Sequence, residues 1–305
     1  MLDVTVCILS FNRASYLCEA IDSVLAQTIS PKGVVIYDNG SKSDVYDAIE
    51  PYLTKGVRWV GSDGTQSAIW NFSRAVAKSK SKYTVVMHDD DKLCNTFLVE
   101  QTAFLEESLN TIAIGSNGYI INEKNERTGS TVLNDNIEEC VELFDCSAQV
   151  AMKYASDSCI PLSSMMYRTE NVSKVNLREE FEKVADAVFF CDMADIGTIA
   201  LNPKPLYECR VHADQDSSYF PTELLDLLEY FFWSRKSDNI KDIDKLHKML
   251  IKQSTSRILR QILIAFRRPY LIVSLFSAVI KIREKNFSFL AAFNLSLSFI
   301  KKKLL

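Results

Sequence analysis

With only 9 glycines and 7 prolines in 305 residues, and no low-complexity tract, the chain lacks the composition of a disordered or collagen-like protein. No fixed period marks a repeat array either. Eight cysteines (Cys7, Cys18, Cys94, Cys140, Cys146, Cys159, Cys191 and Cys209) never fall as Cys-x-x-Cys, and no His-rich spacing accompanies them. They form no recognisable zinc site and are expected to be reduced thiols, several of them core filler. The start, Met1-Leu2-Asp3-Val4, has no basic region followed by a long apolar core, so the expectation is a protein without a secretory signal, in the cytoplasm. No apolar run reaches the roughly 18–20 residues needed to span a bilayer. A glycine-rich phosphate loop is also missing: Ser-Phe-Asn-Arg follows the first apolar run. That absence weighs against phosphoryl or nucleotidyl transfer.

What is present is an ordinary globular composition, 47% hydrophobic, in a chain long enough to bury a substantial core. The first hundred residues alternate short β-branched runs (4–11, 34–37, 57–60, 83–87) with helical patterns (14–27, 45–53, 67–77, 97–107). The strands are continuous apolar runs, as expected where helices cover both faces of a largely parallel sheet. Further on, 112–122, 165–168 and 203–211 read as strands, 148–154 and 186–196 as helices, and 223–233 and 243–263 as helical again.

Charge is uneven. Residues 256–305 hold ten Lys or Arg against one acid, a net +9, so residues 1–255 carry −13 of the total −4. An acidic body with a basic apolar tail does not fit nucleic-acid binding. The tail's two apolar blocks, 270–280 and 287–300, are flanked by basic residues, which suits helices lying in the interface of an anionic leaflet. The alternative is a helical bundle packed on the body or a self-association surface.

In a parallel sheet the ligand sits beyond the carboxyl ends of the strands. Three polar groups follow strands directly: Ser10-Phe11-Asn12-Arg13, Asp38-Asn39-Gly40-Ser41 and His88-Asp89-Asp90-Asp91. Adjacent carboxylates raise one another's pKa unless a positive charge compensates, and a hard divalent ion with oxygen ligands does so well. A solvated turn with capping aspartates is the alternative. Strand parity would pair Asp89 with Asp91.

These segments together resemble the inverting glycosyltransferases of the GT-A fold, glycosyltransferase family 2 in particular, over about residues 3–215. The run Val4-Thr5-Val6-Cys7-Ile8-Leu9-Ser10-Phe11-Asn12-Arg13 is similar to the family's opening strand and nucleotide-contacting loop. Val34-Val35-Ile36-Tyr37-Asp38 is similar to its strand ending in a base-contacting aspartate, and Gly64 and Asn71, seven apart, match a further pattern. The resemblance implies an α/β fold with a Rossmann-like, mostly parallel sheet and helices on both faces, plus a C-terminal helical extension. It divides the chain into 1–220, with a nucleotide-sugar half of about 1–110 and an acceptor half of about 111–220, and a helical region at 221–305.

The resemblance also assigns roles. Ser10, Phe11, Asn12, Arg13, Asp38, Gly64, Asn71 and Asp89 would contact the donor; a fixed carboxylate such as Asp38 can read uracil's N–H between two carbonyls. The alternative for Asp38 is a turn aspartate bonding its own backbone. Asp90, with Asp89 and Asp91, would hold Mn2+ or Mg2+, with His212 of Arg210-Val211-His212 completing the shell. Alignment with Asp-x-Asp-Asp puts His88 where an aspartate usually stands. Asp186 would be the general base, although Ala185 replaces the glutamate usual before it; its alternative is a helix N-cap, and the helix dipole would keep its pKa low. Ser163, Ser164 and Met165 match a looser segment near the acceptor side, with Ser164 and Met165 the residues expected there.

The implied activity is metal-dependent, inverting transfer of a sugar from a nucleotide diphosphate, a UDP-sugar, to a hydroxyl of a glycan or lipid-linked glycan. Bacterial surface polysaccharide assembly (O-antigen or capsule), with peripheral contact at the inner face of the cell membrane, is the expected setting. The competing classes are a catalytically silent sugar-binding protein of this fold and a nucleotidyltransferase.

Overall fold

The computed structural model describes residues 1–133, 140–155 and 159–212. The helices expected at 223–233 and 243–263 and the basic tail lie outside the described residues. The chain opens with β1 (Leu2–Ser10), α1 (Ala14–Leu25), β2 (Pro31–Asp38), α2 (Ser43–Leu53), β3 (Val57–Val60), α3 (Ala68–Lys78) and β4 (Tyr83–His88). Then come β5 (Lys92–Leu93), α4 (Phe97–Glu107), β6 (Thr111–Ile121), β7 (Arg127–Thr131), β8 (Glu142–Phe144) and α5 (Ser147–Ala155). β9 (Met166–Arg168), α6 (Thr169–Val172), α7 (Ala185–Ala194) and β10 (Thr198–Arg210) complete the described strands and α-helices, and short 3-10 helices form at Leu162–Ser164 and Glu179–Val184.

One sheet runs in the order β3-β2-β1-β4-β9-β6-β10-β5, with β7 added on β6 and β8 on β10. β1, β2, β3 and β4 are mutually parallel, and β6 and β10 share their direction; β9, inserted between β4 and β6, is antiparallel to both. The expected α/β class with a mostly parallel sheet is what the protein has.

Strand parity sorts the core to the two faces. Val4, Val6 and Ile8 of β1, Val34 and Ile36 of β2, and Val85 and Met87 of β4 pack with Leu17, Ala20, Ile21 and Val24 of α1 and with Phe97, Leu98 and Leu105 of α4. The α1 spacing of three, one and three residues makes the apolar stripe that such a face requires. On the other face, Cys7 directs its thiol at the Ala75 carbonyl of α3. Burial on both faces is why these strands read as unbroken apolar runs.

The strands that pattern reading did not find are short or polar. β5 has two residues and β8 three, and β7 is Arg-Thr-Gly-Ser-Thr, largely exposed. β10 starts earlier than expected, and its register with β6 shifts around Pro205, where proline cannot donate to a ladder. Beyond that irregularity the strand continues to Arg210. Among the described residues no helix is long and apolar enough to cross a membrane.

Candidate active site

β4 stops at His88, and Asp89 and Asp90 form a turn before β5. β5 pairs with Tyr207 and Glu208 of β10, which brings the end of β10 onto the turn. Because regular alternation ends at His88, strand parity does not carry through the turn to pair Asp89 with Asp91. Instead His88, Asp90 and Asp91 can each direct a ligand atom into one region, all within 4.8 Å of one another. Asp90 Oδ2 lies 3.0 Å from His212 Nε2 and 3.2 Å from Arg13 Nη1.

Asp89 points elsewhere: its carboxylate accepts from the Phe11 amide at 2.8 Å and from Arg13 at 3.1 Å, which pins the loop after β1. Burial pushes Asp89 and Asp91 up to about 6, the charge of Asp90 adding to it in each case. Asp90 is also penalised by burial, yet His88, His212 and Arg13 together hold it below the ordinary carboxylate value.

Arg210 supports this turn from beneath, and sequence reading assigned it no role. Its side chain is fully buried; its backbone amide donates to Asp91 Oδ1 at 3.1 Å and its Nε to the Asp90 carbonyl at 2.9 Å. The guanidinium also meets Glu19 at 2.6 Å and lies 4.3 Å over the Tyr16 ring, which in turn flanks His212 at 5.6 Å. Arg210→Met leaves Glu19 and the Asp90 carbonyl without this donor. We expect a loss of roughly 3 kcal/mol in urea unfolding, near the low end for breaking a buried pair because Glu19 still reaches solvent.

The donor-side loops are tied to one another. Asn12, at a positive φ of 55°, donates its amide to Ser41 Oγ at 2.8 Å and accepts from the Lys42 amide at 3.0 Å. Asp38 accepts from the Gly40 and Ser41 amides at 3.0 and 2.9 Å and from the Ser41 hydroxyl, so most of its acceptor capacity serves its own turn. Asn39 exchanges two bonds with the Gln66 backbone. Gly40, at φ +77°, lies so close to Gly64 that a Cβ would stand 2.6 Å from its carbonyl carbon. The segment carrying Gly64 is thereby fastened to the end of β2.

Two of the expected donor contacts turn inward. Asn71 is buried and bonds the Tyr37 carbonyl at 2.8 Å and Arg74 at 2.8 Å, so it props the end of β2. The Ser10 side chain is buried as well, its hydroxyl without a hydrogen-bond partner. Its carbonyl accepts from the Asn39 amide. Phe11 and Asn12 are exposed.

Asp186 is the second residue of α7; Val184 is the cap, so the N-cap alternative does not apply. Nor does the helix dipole keep the carboxyl low. Burial raises it, outweighing the Ala187 and Asp186 amides and the Tyr154 hydroxyl that lower it. Asp186 acts electrostatically on Cys159, and four residues beyond that cysteine Ser163 reaches the acidic turn. Ser163 Oγ accepts from the His88 amide at 3.3 Å and bonds Asp91.

The residues expected on the acceptor side lie inside the fold. Ser164 and Met165 are fully buried: the Ser164 hydroxyl donates to the Ser116 carbonyl at 2.9 Å and accepts from the Ser116 amide at 3.0 Å. They hold the segment to β6, because the hydroxyl satisfies backbone groups that would otherwise be buried unpaired. Ser163 is the member of this segment that meets the site.

A divalent cation suits the donor set. Two carboxylates and two imidazoles offer oxygen and nitrogen ligands of the kind Mn2+ accepts, and no thiolate is among them.

The model of glycosyl transferase family 2 matches residues 5–175. An uncharacterized glycosyltransferase of Haemophilus influenzae is 21% identical over 229 residues, 72% of this chain and 69% of that protein. One from Rickettsia typhi is 24% identical over 268 residues, 87% of this chain and 80% of that protein. Among solved structures, S. aureus TarS 1–349 in complex with UDP-GlcNAc superposes with a TM-score of 0.62 at 16% identity, covering 82% of this chain and 70% of that one. The mannosyltransferase PcManGT from Pyrobaculum calidifontis, in complex with GDP-Man and Mn2+, gives a TM-score of 0.58 at 11% identity, covering 99% and 81%.

Proposed function

The chain belongs to glycosyl transferase family 2 and is a glycosyltransferase, and on that premise we propose that it transfers a sugar, with inversion, from a UDP-sugar to a hydroxyl of a glycan or lipid-linked glycan. The observation that carries this reading is the convergence of His88, Asp90 and Asp91 beside His212, at the same sheet end as the interlocked loops at Phe11–Arg13 and Asp38–Ser41.

In this reading, Phe11, Asn12 and Arg13, with Asp38 and Gly64, frame the nucleotide, and Ser10 and Asn71 hold that frame in place. Asp90, Asp91 and His212 would hold Mn2+ or Mg2+, joined by His88, while Asp89 anchors the loop after β1. Bound there, the ion neutralises charge on the departing diphosphate. Asp186 takes the proton of the acceptor hydroxyl as that oxygen bonds to the anomeric carbon. The bond from that carbon to the diphosphate oxygen breaks, and its electron pair leaves with the diphosphate. A carboxyl raised by burial suits a base that must also release its proton between turnovers.

The 1–220 body would supply the donor and acceptor halves, and the +9 charge of residues 256–305 supports an acceptor presented at the inner face of a bacterial membrane, as in surface polysaccharide assembly. Thermal-shift measurements across a panel of nucleotide sugars, with and without Mn2+, test the donor assignment. A UDP-sugar at a hundredfold excess over its Kd should stabilise the fold by about 2.7 kcal/mol, and only with the metal present. No shift from any nucleotide sugar, together with no nucleotide release in the presence of glycan acceptors, rejects the proposal.

A further inference from the structure

We infer that Tyr154 is a positioning residue that holds the Asp186 carboxylate in the orientation used for proton transfer. The inference rests on the reading of Asp186 as the base. Tyr154 lies at the end of α5, far from α7 in sequence, and its Oη stands 3.1 Å from Asp186 Oδ2. The same hydroxyl is 3.5 Å from the Ile160 carbonyl. A phenol has one proton, and the shorter contact to a charged acceptor takes it.

A carboxyl on χ2 turns in a broad, two-fold well, so helix placement alone does not orient its oxygens. A donor on a second element does. Tyr154 engages Oδ2 and leaves Oδ1 outside that bond. Burial and the Asp186 charge raise the Tyr154 phenol far above its ordinary value, so it remains a donor throughout the working range of pH.

Among the described residues, the titratable groups facing Asp186 come from three places: Tyr154 of α5, Cys159 of the following segment and Tyr167 of β9. None of them is a cation. Among the described residues, the groups that lower the Asp186 carboxyl are the Ala187 and Asp186 amides and the Tyr154 hydroxyl. Removing the phenol oxygen takes away the one side chain among them. The carboxyl then titrates still higher, and the acid limb of the kcat–pH profile moves to higher pH, because the base works only when deprotonated.

The test is Tyr154→Phe in the full chain, with kcat and donor KM measured across pH. The expected result is a fall in kcat on the order of tenfold, an unchanged donor KM and an acid limb displaced upward. A second variant guards against misfolding: 3-fluorotyrosine at position 154 keeps the shape and strengthens the donor, and should displace the limb downward. A limb that stays in place in either folded variant overturns the inference, whatever happens to melting temperature. Asp186→Asn separates the two claims. Retained turnover there removes the base itself, whereas lost turnover with an immobile limb in the Tyr154 variants removes only the positioning role.

Discussion

Asp186→Asn should lower kcat by roughly a hundred- to ten-thousandfold, the range that general base catalysis supplies, while donor KM stays near its wild-type value. The melting temperature at neutral pH should not fall and is expected to rise. The reason is the sign of the shift: the folded-state carboxyl is raised above 3.8, chiefly by burial. Below 3.8 the group is protonated in both folded and unfolded chains. As pH rises through the folded value, the unfolded chain has already released its proton, so the native state loses that relative advantage. Asparagine cannot ionise and escapes the loss. Stability measured by calorimetry from pH 4 to 8 should therefore decline less steeply for Asp186→Asn than for the parent. A mutant with parental turnover would remove Asp186 from the reaction, and one that is inactive but markedly less stable would point to a packing role instead.

The second large effect concerns the acidic turn. Asp90→Ala removes the carboxylate that touches both His212 and Arg13, at 3.0 and 3.2 Å. Turnover should fall by at least about a hundredfold, and Mn2+ affinity, followed by titration calorimetry without donor, should weaken by roughly tenfold or more. Asp89→Asn provides the contrast. Its carboxylate bonds the Phe11 amide and Arg13, so its loss should raise donor KM more than it weakens Mn2+ binding. Equal effects of the two substitutions on Mn2+ affinity would show that the turn binds through all three aspartates, against the proposed division of labour.

Much of the fold was legible before any coordinates. The expected spans 57–60 and 97–107 coincide with β3 and α4, and β1, β2 and β4 lie within a few residues of expectation. The reason is local: a strand buried on both faces must be apolar throughout, and a helix covering it must carry a stripe. β5, β7 and β8 were invisible because two to five residues, some of them polar, hold no period. The placement of β9 was equally hidden, since three residues cannot announce that they lie between two parallel strands and reverse direction.

The site divides along the same line. Motif order alone drew attention to Asp90, Asp91, His212 and Asp186. It could not separate Asp89 from its neighbours, because that depends on a turn starting right after His88. It offered the segment Ser163, Ser164 and Met165 as a unit, and could not say that Ser163 turns to the His88 amide while Ser164 bonds the Ser116 backbone. Tyr154 gave no signal, and Arg210 none beyond its place before His212, since a buried arginine and a helical tyrosine gain meaning only from what lies beside them.

By itself, then, the order of residues determined the α/β class, the succession of strands and helices and the three polar clusters at strand ends, because each follows from interactions among residues close in sequence. Only the tertiary structure decided which carboxylates face one another, which serine reaches them and which phenol meets the base. Those choices depend on contacts between segments up to 122 positions apart, as between His212 and Asp90. Hydrogen bonds of about 3 Å are satisfied only when the sheet order has set the distance.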